Sequence, residues 1–171
     1  TLQEVQRFDS YGGVLSDNAI LIDVDDKQQS EILLKMVEKL DLNCQVIRTS
    51  RGRHFTFINS GVESGGKDKK LACGLIADVK VGSRNAVECL KIDGEKRFVE
   101  REFDERNENI LPKWLHPVNS SADFITMEEG QGRNSALYSY ILTLTSAGFT
   151  KEETKECIEI INSFTLKEPL S

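Results

Sequence analysis

The chain has 171 residues, a length that suits one domain or a compact domain with a small appendage. Hydrophobic residues make up 39% and charged residues 29%, as in ordinary globular proteins, and no apolar run is long enough to cross a bilayer. The formal net charge of −6 does not by itself indicate a nucleic-acid partner. However, residues 44–84 contain eight Lys or Arg and three acidic residues, a net charge of +5, which suits a polyanionic ligand. The alternative for the run Lys67–Lys70 is a solvated basic loop.

The four cysteines are scattered and form no Cys-x-x-Cys pair, so the sequence indicates neither a zinc site nor a disulfide framework. No signal peptide is visible, and we expect a protein of a reducing cytoplasm. The chain begins with Thr1 rather than methionine, and we therefore expect it to be a fragment.

The N-terminal part of the chain predicts a lead-in, two strands and a helix. Residues 1–12 have weak periodicity and predict a short helix or an extended segment. Residues 14–15 and 19–25 predict two strands joined by a tight polar turn. Apolar residues on one helical face predict an amphipathic helix over 28–40, and the strand predicted at 44–49 then completes a βαβ unit.

Asp23 and Asp25 stand two positions apart at the end of the second predicted strand. Because side chains alternate along a strand, both point to one face while Ile22 and Val24 point to the other. Two adjacent carboxylates repel each other and lose hydration, a cost that a hard divalent cation offsets. Asp26 has the opposite parity, so we expect it to begin the turn into the helix.

A second polar cluster, Ser50-Arg-Gly-Arg-His54, runs directly into an alternating strand. We expect Phe55 and Phe57 on the core side and His54 on the opposite face. Gly52 allows the backbone to turn tightly and approach a ligand. The arginines and the histidine favour contact with a triphosphate, and the alternative for His54 is a side chain satisfied by backbone or solvent.

A polar loop rich in Gly, Ser and Lys is predicted at 59–70, and we expect it to be mobile. The strand predicted at 76–81 places Asp78 and Lys80 on one face and its small apolar residues on the other. Arg84 follows on a turn, where it either neutralises phosphate or forms a surface salt bridge. Three strands would thus direct polar, chemically capable side chains to one face of a sheet.

The rest of the chain predicts a hairpin and two helices. Residues 86–92 and 97–100 predict strands joined at an Asp-Gly turn. Asn134 or Ser135 is expected to cap the first helix, and Thr150-Lys-Glu-Glu153 predicts a capping box for the second. The two helices would form an αα-hairpin that must pack on another part of the protein.

Asp23, Asp25 and Asp78 together supply three carboxylates on neighbouring strands. Such a set could hold two Mg²⁺ or Mn²⁺ ions, the arrangement used for in-line displacement at phosphorus.

Three short motifs resemble those of the archaeo-eukaryotic primase superfamily. They are Ile-Asp-Val-Asp (22–25), Gly-Arg-His (52–54) and Ala-Asp-Val-Lys (77–80), in the order that the family shows. The likeness is closest to the primase-polymerase (Prim-Pol) type of bacteriophages and mobile elements. Segments further along resemble the small helical domain that follows the catalytic domain in phage primases: 129–137, 148–153 and 168–171.

The resemblance implies an α+β fold, with an RRM-like mixed β-sheet as the catalytic core, flanking helices and a small α-helical domain. By position, the primase-polymerase catalytic domain would cover residues 1–118, a linker 119–131, and the helical C-terminal primase domain, expected to be truncated, residues 132–171.

The resemblance also implies a DNA primase or polymerase that makes or extends primers from NTPs or dNTPs on a single-stranded DNA template. The setting would be phage or mobile-element DNA replication in the bacterial host cytoplasm, without a membrane partner. Asp23, Asp25 and Asp78 would bind Mg²⁺ or Mn²⁺, and His54 would contact the incoming nucleotide. Other residues that match in character as nucleotide contacts are Ser50, Arg51, Arg53, Lys80 and Arg84.

Two features of the family are missing from this chain. It lacks the zinc-binding stem that some members insert after the histidine motif, so we expect no zinc. It also contains no helicase segment, and we expect a replicative helicase domain in the full-length protein.

Other functions fit parts of the pattern. Asp78-Val-Lys80, with Asp23 or Asp25 upstream, also fits a metal-dependent D-x-K nuclease, which leaves the second aspartate and the Arg-Gly-Arg-His cluster unexplained. A non-enzymatic nucleic-acid-binding module on an RRM-like sheet would stack bases on sheet aromatics, whereas Phe55 and Phe57 are expected in the core. A nucleotide-sugar transferase with a D-x-D motif is a third alternative.

Overall fold

The computed structural model describes residues 2–170; Thr1 and Ser171, the outer ends of the two predicted domains, lie outside the described residues. Within residues 2–170 the chain forms two β-sheets and four α-helices. The strands are β1 (Tyr11–Val14), β2 (Ala19–Val24), β3 (Gln45–Arg48), β4 (Arg53–Ile58), β5 (Gly66–Lys70), β6 (Ile76–Val81), β7 (Val87–Ile92), β8 (Glu95–Lys96) and β9 (Phe98–Arg101). The helices are α1 (Leu2–Val5), α2 (Lys27–Lys39), α3 (Arg133–Ser146) and α4 (Lys151–Ile160).

The larger sheet has six strands in the order β5-β6-β2-β4-β3-β9. Every pair of neighbouring strands in it is antiparallel, so the sheet is antiparallel rather than the mixed sheet that we expected. β2 and β3 run in the same direction because each pairs antiparallel with β4, which lies between them. The predicted βαβ connection through α2 is therefore present, with one strand inserted, and the α+β fold class is confirmed.

The core lies on one face of the six-stranded sheet. Ile22 and Val24 of β2 point to this face with Phe55 and Phe57 of β4, and all four are buried, as the alternation predicted. The apolar face of α2 packs in the same cluster. Asp26 caps α2 by accepting a hydrogen bond from Gln29 N at 2.9 Å, which is the role expected from its parity.

The smaller sheet has three strands in the order β1-β7-β8. Its strand pairing shows that two predicted hairpins were wrong. β1 does not pair with β2; it pairs antiparallel with β7, more than 70 positions away in the sequence. A Cβ on Gly12 would lie 2.6 Å from Glu88 O, so the close approach of these strands requires glycine there. After the predicted Asp-Gly turn only β8 pairs with β7, while β9 leaves and pairs with β3.

The segment predicted as a loop at 59–70 contains strand β5, the edge strand beside β6. Its pairing is interrupted by a bulge between Gly66 and Lys69, where Asp68 adopts a left-handed backbone with φ 49°. Charged side chains and a bulge are typical of an exposed edge strand.

The two C-terminal helices form the predicted αα-hairpin. Gly132, with φ 75°, is the N-cap of α3, so the expected caps Asn134 and Ser135 instead lie inside the helix. Thr150 and Glu153 form the predicted capping box at α4, which continues into a π-helical turn.

The αα-hairpin is anchored on the short turn before β6. Tyr140 Oη and Cys157 Sγ both donate hydrogen bonds to Ala72 O, at 2.9 and 3.0 Å, and Thr165 Oγ1 donates to Cys73 O at 2.8 Å. The buried apolar side chains of both helices belong to the same hydrophobic cluster as α2 and the sheet. Phe124, in the predicted linker, is also buried and makes an edge-on contact with Tyr140. The division into 1–118, 119–131 and 132–171 stays a prediction.

Cys44, Cys73, Cys89 and Cys157 are all free thiols. Among residues 2–170, no helix combines the length and the apolar character that crossing a bilayer requires.

Candidate active site

Three predicted site residues lie in one row across three strands. Asp23 on the central strand β2 is directly opposite His54 of β4 on one side and Asp78 of β6 on the other. Directly opposed residues in antiparallel strands project to the same face. We call these three residues the polar row, and the face that bears them the polar face of the six-stranded sheet.

Asp23 is the centre of the polar row and is only 8% exposed. Its Oδ2 accepts a hydrogen bond from Lys80 Nζ at 2.8 Å, so Lys80 reaches the site as predicted. His54 Nε2 lies 3.2 Å from Oδ1. Within the described residues, that contact lacks hydrogen-bond geometry, and Oδ1 is buried without a hydrogen-bond partner.

His54 lies between two carboxylates. On the side opposite Asp23, Nδ1 is 2.9 Å from Glu88 Oε1, and both side chains are almost completely buried. Glu88 belongs to β7 of the three-stranded sheet, which therefore lies over the polar face. The sequence did not predict Glu88, because a single acid in a predicted strand gives no sign of its partner.

Burial and neighbouring charges shift the pKa values of Asp23 and His54 in opposite directions. Burial raises the pKa of Asp23, but the neighbouring His54 and Lys80 lower it more, to about 2. Burial lowers the pKa of His54, but the neighbouring carboxylates of Asp23 and Glu88 raise it above its ordinary value. Asp23 and His54 therefore each favour the charged form of the other.

Asp78 ends the polar row on the side of the lysine-rich strand β5. Its Oδ1 accepts a hydrogen bond from Asp68 N at 2.9 Å, and the bulge in β5 is what directs that N–H toward it. The basic segment Lys67–Lys70 thus borders the polar row. The expected polyanion surface and the predicted metal ligands lie side by side.

Asp25 follows β2 and pairs with Arg51, whose Nη2 is 2.7 Å from Asp25 Oδ2. Arg51 belongs to the turn between β3 and β4, where Thr49 Oγ1 accepts a hydrogen bond from Gly52 N at 2.9 Å. A Cβ on Gly52 would lie 1.8 Å from Val24 O, so only glycine permits this turn to lie against the end of β2. This contact brings Arg51 beside Asp25.

Arg53 does not join the other predicted nucleotide contacts. It is opposite Val24 and therefore projects to the core face, where Nη1 bonds Ser30 Oγ and Glu31 of α2 and Nε bonds Glu100 Oε2 at 2.6 Å. The correction follows from alternation, because Arg53 has the parity of Phe55 and not of His54. Arg53 joins α2 to β9.

Two other residues predicted to contact nucleotide do not lie within the site: Ser50 is at its margin and Arg84 is away from it. Ser50 is exposed on the Arg51 turn. Arg84 is also exposed, but it lies beyond the end of β6 that is far from Asp78, next to the start of β2. His116, to which no role was assigned, is buried, with Nε2 2.7 Å from Ser60 Oγ.

The carboxylates fit a hard divalent cation by their chemistry. Asp23, Asp25 and Asp78 supply only oxygen donors, and the buried Oδ1 of Asp23 has no hydrogen-bond partner in the part of the chain described. Residues 2–170 do not bring three potential ligands together in a ready-made cage. Lys80 and Arg51 currently neutralise two of the three carboxylates. A cation that binds here must therefore displace these ion pairs or share the carboxylates with them.

On the polar face, the carboxylates of Asp23 and Asp78 lie close to the basic side chains of His54 and Lys80. This arrangement is suited to binding and orienting a polyphosphate. No protein-family model, curated protein or solved structure matches this chain.

Proposed function

We propose that this chain is a template-directed nucleotidyltransferase of the primase-polymerase type, which makes or extends primers from NTPs or dNTPs. The observation that carries this proposal is the polar row, in which Asp23 is flanked in register by Asp78 and His54. Residues from three motifs that are up to 55 positions apart in the sequence thus lie side by side.

Each residue of the site has a role in this proposal. Asp23, Asp25 and Asp78 would hold Mg²⁺ or Mn²⁺, which when bound supplies Lewis-acid stabilisation of charge on the transferring phosphoryl group. His54 donates a hydrogen bond from Nε2 to a phosphate oxygen of the incoming nucleotide. Lys80 and the exposed Arg51 neutralise negative charge on the triphosphate, and the binding of nucleotide offsets the loss of their ion pairs.

The fold is consistent with this function. The strands β6, β2, β4 and β3 follow one another in an antiparallel sheet, with α2 connecting β2 to β3, which supports an RRM-like catalytic core. A second helix between β4 and β6 is absent from this part of the described chain, and β5 occupies the connection. Buried Phe55 and Phe57 argue against a module that stacks bases on an open sheet.

The wider setting follows from the same proposal. A single-stranded DNA template pairs with the incoming nucleotide, and the lysine-rich β5 beside Asp78 offers positive charge to its phosphates. The C-terminal helices would be a helical primase domain, and a replicative helicase domain would accompany the chain in the full-length protein. The place of action would be the cytoplasm of a bacterial host during phage or mobile-element DNA replication.

A primer-extension assay tests the proposal. The wild-type chain is incubated with Mg²⁺ or Mn²⁺, single-stranded DNA and either NTPs or dNTPs, with and without an annealed primer. We expect incorporation by the wild type and its loss, by about a hundredfold or more, in Asp23→Asn and Asp78→Asn. Asp68→Asn is the matched control, because it removes a neighbouring carboxylate and keeps the backbone N–H that contacts Asp78.

Three results would argue against polymerisation. Cleavage of the DNA without incorporation would favour the D-x-K nuclease, since Asp78 and Lys80 both lie at the site. DNA binding without either reaction would favour a non-enzymatic binding module. Undiminished incorporation by Asp23→Asn would exclude the polar row as the catalytic centre.

A further inference from the structure

Glu88 is a buried carboxylate that the proposed chemistry leaves without a role. It is 5% exposed on β7, and its Oε1 is 2.9 Å from His54 Nδ1. Glu88 and His54 belong to different sheets. Their hydrogen bond therefore joins the three-stranded sheet to the polar row.

The Glu88–His54 hydrogen bond determines which imidazole nitrogen faces Asp23. A buried carboxylate is costly unless it is paired, and the described residues give the Glu88 side chain one such partner, His54. The two imidazole nitrogens are distinct, and an acceptor at Nδ1 fixes both the ring orientation and the presence of a proton on that nitrogen. With Nδ1 held by Glu88, Nε2 is the nitrogen that faces Asp23, at 3.2 Å.

We propose that Glu88 is a positioning residue that holds the His54 ring with Nε2 toward Asp23, where the proposed phosphate contact would be made. This inference rests on the proposed nucleotidyl transfer. In this role Glu88 would contact neither nucleotide nor metal and would act only through His54. The three-stranded sheet is consequently part of the active site rather than an accessory to the fold.

Loss of the Glu88 acceptor would allow the His54 imidazole ring to rotate. Without Glu88 Oε1, rotation of the imidazole about its bond to Cβ can place either nitrogen toward Asp23, and the hydrogen bond from Nε2 to phosphate is no longer pre-organised. The effect should fall on nucleotide binding, because the proposed contact of His54 is with the phosphates.

Steady-state extension kinetics and NMR test this role in the full chain. We expect Glu88→Ala to raise the KM for the incoming nucleotide about tenfold with a smaller change in kcat, and Glu88→Gln, which keeps an acceptor oxygen, to restore KM to within about threefold. In a His54→Ala background, Glu88→Ala should add no further increase in KM. Leu90→Ala is the matched control, since it truncates a side chain two positions along β7 and keeps both Glu88 and His54.

NMR provides a readout that does not depend on activity. The chain has two histidines, so the imidazole protons are readily assigned. The Nδ1–H of His54 should exchange slowly with water in the wild type and in Glu88→Gln, and rapidly in Glu88→Ala. An Nδ1–H that stays slow in Glu88→Ala would overturn the holding role.

The kinetic outcomes separate the two proposals. A wild-type chain without incorporation overturns the proposed function and this inference together. A wild-type chain that incorporates nucleotide, with a KM unchanged in Glu88→Ala, overturns the positioning role alone. If Leu90→Ala raises KM as much as Glu88→Ala, or if Glu88→Ala still raises KM when His54 is absent, Glu88 contributes packing and the positioning role is wrong.

Discussion

Lys80 and Asp23 form an ion pair across neighbouring strands, with Nζ 2.8 Å from Oδ2. The Asp23 side chain is 10% exposed and that of Lys80 is 33% exposed. The pair therefore lies at the boundary between the covered part of the polar face and solvent. Its position makes Lys80 both a stabilising partner of a buried carboxylate and a cation available to a ligand.

Replacing Lys80 with methionine should destabilise the folded chain. We expect Lys80→Met to lower the free energy of unfolding by about 1–2 kcal/mol at pH 7, because Asp23 keeps its charge and loses a hydrogen-bond donor. Urea unfolding measures the change. Lys67→Met, on the exposed edge strand, is the control and should change stability by less than about 0.5 kcal/mol. Equal effects of the two substitutions would contradict the role assigned to the ion pair.

Arg51 and Arg53 are two positions apart and should behave in opposite ways. Arg53→Ala should cost about 2–4 kcal/mol of stability, because the buried guanidinium joins Glu31 of α2 to Glu100, and its removal breaks this link and leaves Glu100 with Arg48 alone. Arg51→Ala should leave stability nearly unchanged, since its side chain is 74% exposed, and should weaken nucleotide binding about tenfold. Thermal unfolding and nucleotide titration measure the two effects. A stable Arg53→Ala variant that has lost nucleotide binding would reinstate Arg53 as a ligand contact.

His116 should make the fold less stable in mild acid. Burial, together with the charge of Lys113, lowers the pKa of His116 from 6.5 to about 4. The unfolded chain therefore binds more protons between these pH values, and stability should fall by up to about 3 kcal/mol as the pH drops from 6.5 to 4. Unfolding of the wild type and His116→Gln is measured across this range.

The difference in unfolding free energy between the wild type and His116→Gln reports the contribution of His116 alone. His54 acts with the opposite sign, because its pKa is raised and its contribution is lost as the pH rises through that raised value. This contribution is common to both proteins and cancels. A difference in stability that does not change between pH 6.5 and pH 4 would show that His116 titrates normally.

The proposed metal site predicts stabilisation by Mn²⁺. At a concentration a hundred times the dissociation constant, a ligand that binds only the folded chain stabilises it by about 2.7 kcal/mol. We expect a rise in the thermal midpoint of the wild type that is lost in Asp78→Asn and kept in Asp68→Asn. The thermal shift requires no nucleotide. An equal rise in Asp78→Asn would place the cation elsewhere.

Gly52 should tolerate no side chain. In Gly52→Ala the new Cβ would lie 1.8 Å from Val24 O, so either the turn or the end of β2 must move. We expect a loss of about 2–4 kcal/mol by urea unfolding, larger than most single substitutions cause. Gly94→Ala is the control, with open space around the new Cβ and only a left-handed φ of 84° to oppose it, worth about 1 kcal/mol. The reverse order of the two losses would contradict the contact.

Local pattern predicted much of the fold and of the polar row. Alternation placed Phe55 and Phe57 in the core and Asp78 with Lys80 on the opposite face, because a strand has a period of two whatever it pairs with. The α2 cap and the α4 capping box were also correct, since both involve contacts over three residues. Arg53 could have been placed correctly by the same alternation.

Pairing between distant strands was not predictable from pattern. The expected hairpin of β1 and β2 was wrong because adjacent strands in a sequence need not pair when another strand, here β7, offers a closer fit to Gly12 and Gly13. The cap of α3 was wrong because a glycine in a left-handed conformation replaced the expected polar side chains.

The sequence by itself determined which side chains share a face of each strand, because that depends only on the alternating geometry of the backbone. It also identified Asp23, His54 and Asp78 as ionisable side chains on the polar faces of their strands. Only the tertiary structure decided that these three residues form one row and that Glu88 meets His54 from a second sheet. The physical reason is that strand register and the packing of sheets depend on contacts between segments far apart in the chain, and short-range periodicity carries no information about such contacts.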